Sequence, residues 1–525
     1  MAMLARVRTF AIDGIEPRPV WVEVDIRSGL PSFTIVGLGD IAVRESRERI
    51  RSAILNSGFR FPDGRITANL APASLRKAGP GFDAALALAV LAASAQLPAE
   101  PLRAYAVFGE LSLGGELRDS PGALAVAEGA RRFRCERLIV PHSRAREAAL
   151  VDGVVVVAAD GLRSAAAVIS GERAGAALTA DSGGAERAPT GAERHRPSAA
   201  VGGIGRIDLR DVRGHSLPLL ALRIAAAGGH NLLMEGAPGT GKTMLARRLA
   251  TILPPLSREE AIEVTRIHSI AGLHSDGLIS DRPFRAPHHT ISAAGLAGGG
   301  SPPRPGEATL AHNGVLFLDE LSEFSRSSLD ALRQPLEDGH VTIVRGQRAL
   351  RFPTGFMLVA ATNPCPCGFA GVDDRCGCAE SDLRRHRRRL SGPLLDRIDL
   401  LVDVRRPDAD ELEGPPQTTS AAAREQVIQA RERQRRRLEG TGAGRNGELD
   451  AALARATIRL DVDAEEHLGR AYASGLLSPR GRHRVLRVAR TIADLGGRDR
   501  VSRDDVLLAL SFRQRTGADP MASAA

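Results

Sequence analysis

Apolar and polar residues alternate along VWVEVDI (20–26), the two-residue period of a strand with one buried face, and 32–36 is a second strand candidate. The period then lengthens. Residues 41–57 follow helical spacing and stop at Gly58, 65–70 return to a strand pattern, and 82–95 read as a strongly apolar helix. Short strand candidates at 104–108, 137–140 and 154–157 alternate with helices into the 160s, so 1–170 is expected to be one α/β domain. Residues 171–203 carry Ala, Gly, Ser, Glu and Arg with almost no large apolar side chain, the composition of a flexible linker. Strand and helix patterns alternate again over 204–410. After a break at 414–420 (GPPQTTS) the pattern is helical without clear strands, which gives an all-α domain at 411–515 and a tail at 516–525. No internal repeat is visible.

At roughly 100–200 residues per domain, 525 residues accommodate about three folding units. With 43% hydrophobic and 25% charged residues the chain can bury a core, which excludes a wholly disordered or fibrous protein. The longest apolar stretch, 84–95, is shorter than the roughly 20 residues of a membrane-spanning helix. The start, MAMLARVRTFAIDGIEP, has an acid and a proline where a signal peptide needs apolar residues, so a soluble cytoplasmic protein without a membrane partner is expected. The net charge of +9 suits a polyanionic partner, while 3% aromatic residues argue against a platform of stacked bases. All but two of the 71 basic residues are arginine. Lys77 and Lys242, the exceptions, are candidates for places where a compact ammonium is needed.

Candidate chemistry concentrates after residue 230. Gly236-Ala237-Pro238-Gly239-Thr240-Gly241-Lys242-Thr243 follows an apolar run (231–234) and precedes the helical MLARRLA, the strand–loop–helix context of a phosphate-binding loop. There backbone N–H groups and a helix N-terminus face the phosphates of ATP, Lys242 reaches the β- and γ-phosphates, and the Thr243 hydroxyl sits on Mg²⁺. The continuous apolar run 315–318 reads as a buried parallel strand and ends in Asp319-Glu320. Asp319 can organise Mg²⁺ and its waters, and Glu320 can polarise an attacking water. A third buried strand, 356–360, runs into Asn363, placed to orient that water or else a plain turn residue.

Taken together these phrases resemble AAA+ ATPases of the magnesium-chelatase, helix-2-insert group, and specifically the YifB/ComM-like family. The resemblance covers nearly the whole chain, through DVRG (211–214), AAAGGHNLLMEGAPGTGKT, RPFRAPHHT and LLDRIDL. The stretch 69–83 (NLAPASLRKAGPGFD) resembles the fold shared with the Lon protease catalytic domain. Gly81 stands where the protease pattern has its serine, and no lysine lies between Lys77 and Lys242 to activate one, so that domain is expected to be non-proteolytic. The implied architecture is a Lon-like α/β domain lacking the catalytic Ser/Lys pair, a P-loop AAA+ α/β/α core with a helix-2 insert and a pre-sensor-1 hairpin, and a helical lid. The resemblance also implies that Arg397 is an arginine finger reaching a neighbouring subunit's nucleotide, that Arg480 is a lid sensor for the γ-phosphate, and that the chain forms a ring, a homo-hexamer. Each arginine read alone is a solvated cation.

Residues 268–300, rich in Gly, His and Pro, and the hairpin 341–352 are insertions that project into the central channel of related rings. Arg345 and Arg348 at the hairpin tip could grip DNA phosphates or simply be solvated. The run RRHRRR (384–389) reads as a solvated face. Five cysteines are too few for a disulfide scaffold, but Cys365, Cys367, Cys376 and Cys378 could supply tetrahedral Zn²⁺ or stand as four reduced thiols in a surface loop. The implied activity is that of an ATP-driven DNA motor, a ComM-like branch-migration helicase in recombination of incoming single-stranded DNA. The rivals are a chelatase-type or chaperone-type ATPase that remodels a protein partner.

Overall fold

The computed structural model describes residues 4–37, 39, 41–75, 77, 79, 81–172, 177–178, 207–274, 277–300, 303–345, 348–371, 375–390 and 394–513. Most of the expected linker and the whole expected tail, 516–525, lie outside the described residues.

Two large sheets organise the chain. The first has eight strands, ordered Ala177–Leu178, Val155–Ala159, Arg137–Pro141, Tyr105–Val107, Ala5–Asp13, Glu16–Arg27, Arg65–Ala71 and Ser32–Val36. Along Glu16–Arg27 the side chains of Val20, Val22 and Val24 are buried, as the alternation requires. Every residue of the helix Asp83–Ala93 is buried, which is why it carries no polar stripe. The strand pattern did not anticipate Ala5–Asp13, which is central: it pairs antiparallel with Glu16–Arg27 and parallel with Tyr105–Val107. Burial of consecutive residues Thr9, Phe10 and Ala11 breaks the alternation there. Ala177–Leu178 pairs with 156–157, so this sheet reaches into the stretch expected as linker.

The second sheet is ordered Phe284–Arg285, Val315–Leu318, Met357–Thr362, Leu232–Glu235 and Leu400–Asp403, with every pairing parallel. Its inner strands are largely apolar because both faces are covered. Leu232, Met234, Phe317 and Val359 join one apolar cluster; Leu233, Leu316, Leu318 and Leu358 join another on the opposite face. The edge strand Phe284–Arg285 arises inside 268–300, the expected insertion rich in Gly, His and Pro.

The C-terminal region is helical as expected, with Ser420–Arg437, Val462–Ala473, Pro479–Leu495 and Arg503–Ser511 its longer helices. Thr419, Ser478 and Ser502 cap three of them through side-chain oxygens. This region is not detached, because one apolar cluster runs through it and the parallel sheet. A buried polar knot joins the two. Asp399, which immediately precedes the last strand, accepts from Arg487 at 2.8 Å and lies 3.4 Å from His230 and 3.9 Å from Arg484. Burial opposes its ionisation, but Arg487, His230 and Arg484 together hold its carboxyl far below the usual carboxylate range.

The first unit docks on the second. Ser269 on the helix Arg258–Ile270 donates to the buried carboxylate of Glu147 (2.5 Å) and accepts from the Gly122 N–H (3.0 Å). Arg144, 2% exposed, is held by Glu147 and Asp119 and donates to the His274 carbonyl at 2.6 Å. Arg266 pairs with Glu128 at 2.9 Å. An apolar cluster of Ile15, Ile267, Leu310, Val341 and Phe352 continues the contact to the base of the hairpin formed by His340–Arg345 and Arg348–Pro353.

Candidate functional site

Three neighbouring strands of the parallel sheet end side by side, each releasing its chain into a chemically equipped loop. Leu232–Glu235 leads into the glycine loop, Val315–Leu318 into Asp319-Glu320, and Met357–Thr362 into Asn363. The carboxyl edge of such a sheet is where ligands bind in open α/β folds.

The glycines of the loop have separate tasks. A Cβ on Gly236 would stand 2.3 Å from the Val404 carbonyl oxygen, so the loop can leave the sheet only without a side chain there. Gly239 and Gly241 have φ of +77° and +92°, which turn the backbone into the helix Lys242–Ile252. The residues that follow are drawn into one network. Lys242 Nζ donates to the carbonyls of Gly236 (2.6 Å) and Ala237 (2.8 Å) and to Asn363 Oδ1 (3.2 Å). Thr243 Oγ1 donates to Asp319 Oδ2 at 2.7 Å. Burial pulls the Lys242 ammonium below its ordinary pKa, while the fields of Asp319 and Glu320 push it back up. Both lysines of the chain are in fact buried, and Lys77 likewise donates to a backbone carbonyl, that of Pro72. A hydroxyl and a carboxylate this close form an oxygen donor set suited to Mg²⁺, beside backbone N–H groups suited to phosphate.

Glu320 occupies the left-handed region (φ +53°, ψ 51°), and its own N–H donates to Asp319 Oδ1 at 3.0 Å. Its carboxylate lies 3.4 Å from His289 Nδ1. That histidine lies against His288, ring centroids 4.1 Å apart and tilted, and meets the Phe324 ring edge-on. Sequence reasoning did not single out His289; its only sign is the paired histidine in RPFRAPHHT. Asn363 is fixed from behind, its carbonyl accepting from His386 Nε2 at 2.9 Å.

Arg397 and Arg480 lie near each other. Arg397 ends a short turn (Leu395–Arg397) and pairs with Glu337. Burial lowers its pKa, and the nearby cations Arg333 and Arg480 lower it further. Glu337 had no signal in the sequence. Among the described residues of the run 384–389 the arginines are exposed, as a solvated face requires, and His386 alone turns inward. His386 is buried, and Arg385, Arg388 and Arg389 line a cavity of about 690 Å³ together with Arg326 and Arg333. The hairpin expected at 341–352 is present, but its turn (346–347) and the side chains of Arg345 and Arg348 lie outside the described residues. The Sγ atoms of Cys365, Cys367, Cys376 and Cys378 all lie within 4.8 Å of one another.

In the first unit, a Cβ on Gly81 would stand 2.5 Å from Phe108 Cε2, so the ring takes the space a nucleophilic side chain would need. No described helix is long and apolar enough to cross a membrane.

Family profiles described as magnesium chelatase, subunit ChlI, as subunit ChlI of Mg-chelatase, and as the C-terminal part of that subunit match residues 208–412, 22–144 and 417–513. The chain is 43% identical to YifB of Salmonella typhimurium over 517 residues and 42% identical to YifB of Escherichia coli over 514, each alignment covering 97% of both proteins. It is 40% identical to the competence protein ComM of Haemophilus influenzae over 522 residues, again 97% of both.

Proposed function

Because the chain belongs to the YifB/ComM-like family of magnesium-chelatase-type proteins, we propose that it is an ATP-hydrolysing AAA+ ring motor acting on DNA, of the ComM-like branch-migration kind. The observation that carries the ATPase step is the single network joining Lys242, Thr243, Asp319 and Asn363 at the edge of the parallel sheet. The loop N–H groups and Lys242 bind the phosphates, with Lys242 exchanging its carbonyl partners for β- and γ-oxygens. Thr243 and Asp319 would hold Mg²⁺, which would supply positive charge to the triphosphate. Glu320 orients the attacking water and receives its proton, while Asn363, fixed by His386, positions that water from the other side.

Arg397 is read as the finger that reaches the triphosphate of an adjoining subunit in a ring, and Arg480, in its neighbourhood, as the lid sensor of the γ-phosphate. Arg397 would exchange Glu337 for phosphate as the ring assembles. Subunits carrying Lys242→Ala and subunits carrying Arg397→Ala, each inactive alone, are expected to regain turnover when mixed, because some interfaces then hold both intact groups. Mixtures that stay as inactive as their components would refute a finger supplied in trans.

The first unit is read as a non-proteolytic Lon-like domain, a reading supported by Gly81 against Phe108. The DNA step draws on the full-length likeness to ComM and on Arg345 and Arg348 at the hairpin tip. It is tested by ATPase and branch-migration assays with forked and single-stranded DNA across a salt series. Stimulation that falls steeply with salt is expected, since phosphate contacts release counterions. Stimulation by unfolded protein and none by DNA would instead favour the chelatase- or chaperone-type reading, which the descriptions of the matching profiles keep in view.

A further inference from the structure

We propose that Cys365, Cys367, Cys376 and Cys378 hold one zinc ion that braces the phosphate loop; the bracing part rests on the nucleotide-binding reading above. The Sγ–Sγ separations are 3.3 Å for Cys365–Cys367, 3.8 Å for Cys365–Cys376 and 3.7 Å for Cys367–Cys376. A tetrahedron with Zn–S bonds of ~2.3 Å has an edge of ~3.8 Å. The same separations are far beyond the ~2.05 Å of a disulfide. Two tight turns, CPC and CGC, bring the sulfurs together from both ends of one loop, and the Ala370 N–H donates to Cys365 Sγ at 3.2 Å. Cys365 is buried, while Cys367 is exposed and leaves a path for the ion from solvent. On binding, each thiol releases its proton to water and its sulfur donates an electron pair to the metal, so no oxidant is needed and four ligands close the shell. A closed thiolate shell is a structural site, with no position left for chemistry.

Its place in the fold gives the metal its task. Cys365 lies two residues after Asn363, and Cys378 lies two residues before the helix Glu380–Leu390 that supplies His386. Between them Gly368, with φ of +87°, presses on the nucleotide site: a Cβ there would stand 2.6 Å from Pro238 Cδ and 3.9 Å from Asn363 Cγ. Of the four cysteines only Cys365 joins the buried apolar set, so packing alone does little to hold this loop against Pro238. A metal clip supplies that constraint and thereby fixes the segment carrying the Lys242 partner Asn363.

The test uses the full-length protein. Elemental analysis is expected to find one zinc per chain, and Co²⁺ exchanged into the site should show the visible absorption of a tetrahedral tetrathiolate. Stripping the zinc with a thiol reagent and chelator should weaken binding of a fluorescent ATP analogue about tenfold, what one misplaced hydrogen bond to a charged group costs. Gly368→Ala, which leaves all four ligands in place, should keep its zinc yet lose a comparable part of that affinity, and it guards against cysteine variants that fail to fold. Absence of zinc and of Co²⁺ binding by reduced protein would overturn the proposal. So would stoichiometric zinc whose removal leaves nucleotide affinity unchanged. Zinc-loaded wild type that binds no nucleotide would refute the phosphate-loop reading and the bracing with it, the metal stoichiometry marking which part had failed.

Discussion

Lys242→Ala is expected to lower phosphate release from ATP by at least about 10³-fold, to below detection in a steady-state assay. Among the described residues the lysine is the only cation whose hydrogen bonds span the loop, through Gly236, Ala237 and Asn363. An arginine elsewhere in the chain cannot take its place, because the planar guanidinium is too broad for a site that lies between two backbone carbonyls. The fold should survive. Removing the ammonium forfeits three hydrogen bonds but also relieves the burial that lowers its pKa, so the net stability cost should be about 1 kcal/mol. Thermal unfolding within a few degrees of wild type, together with silent turnover, is the expected pair of results. Turnover near wild type would remove the phosphate loop from the mechanism.

Asp399→Asn should have the largest effect on stability, about 3–5 kcal/mol, because it leaves the buried Arg484 and the half-buried Arg487 without their counter-charge. In a region of this size that is a drop in Tm on the order of 10 °C. The pH dependence follows from the direction of the shift. Folding holds the Asp399 carboxyl well below its unfolded value of about 4, so its contribution is fully present above that pH. It is lost as pH falls toward the folded value. The gap in Tm between wild type and Asp399→Asn should therefore be constant from pH 8 to about 5 and narrow on further acidification. A gap that widens in acid would mean that the carboxylate is not the source of the stability.

The parts of the site that were legible in the sequence are those fixed by local rules. The glycine spacing specifies a loop that only a backbone without side chains can follow, and the runs 315–318 and 356–360 are apolar throughout because both faces of a parallel sheet are covered. Other parts depend on chain segments that meet only after folding. Glu337 reaches Arg397, and His289 reaches Glu320, across sequence separations that leave no periodic trace. Phe284–Arg285 is too short to show a period, and Ala5–Asp13 loses its alternation where consecutive residues are buried. In the run 384–389 the described arginines are exposed, as the charge pattern implies, and what that pattern does not reveal is the inward turn of His386. On a helix, cations in sequence point in several directions, so some line a cavity while His386 turns inward.

Ile267, Leu310, Val341 and Phe352 are covered by Ile15 of the opening hairpin, and Ser269 is sealed by Glu147 and Gly122. Cutting the chain near residue 204 would therefore not liberate a self-contained engine. It would uncover an oily seam and strip a buried serine of its acceptor, so such a fragment should be sticky and short-lived. For the same reason any movement of the hairpin would involve both lobes: its root is bolted to the first unit, which must travel with it or flex at that joint.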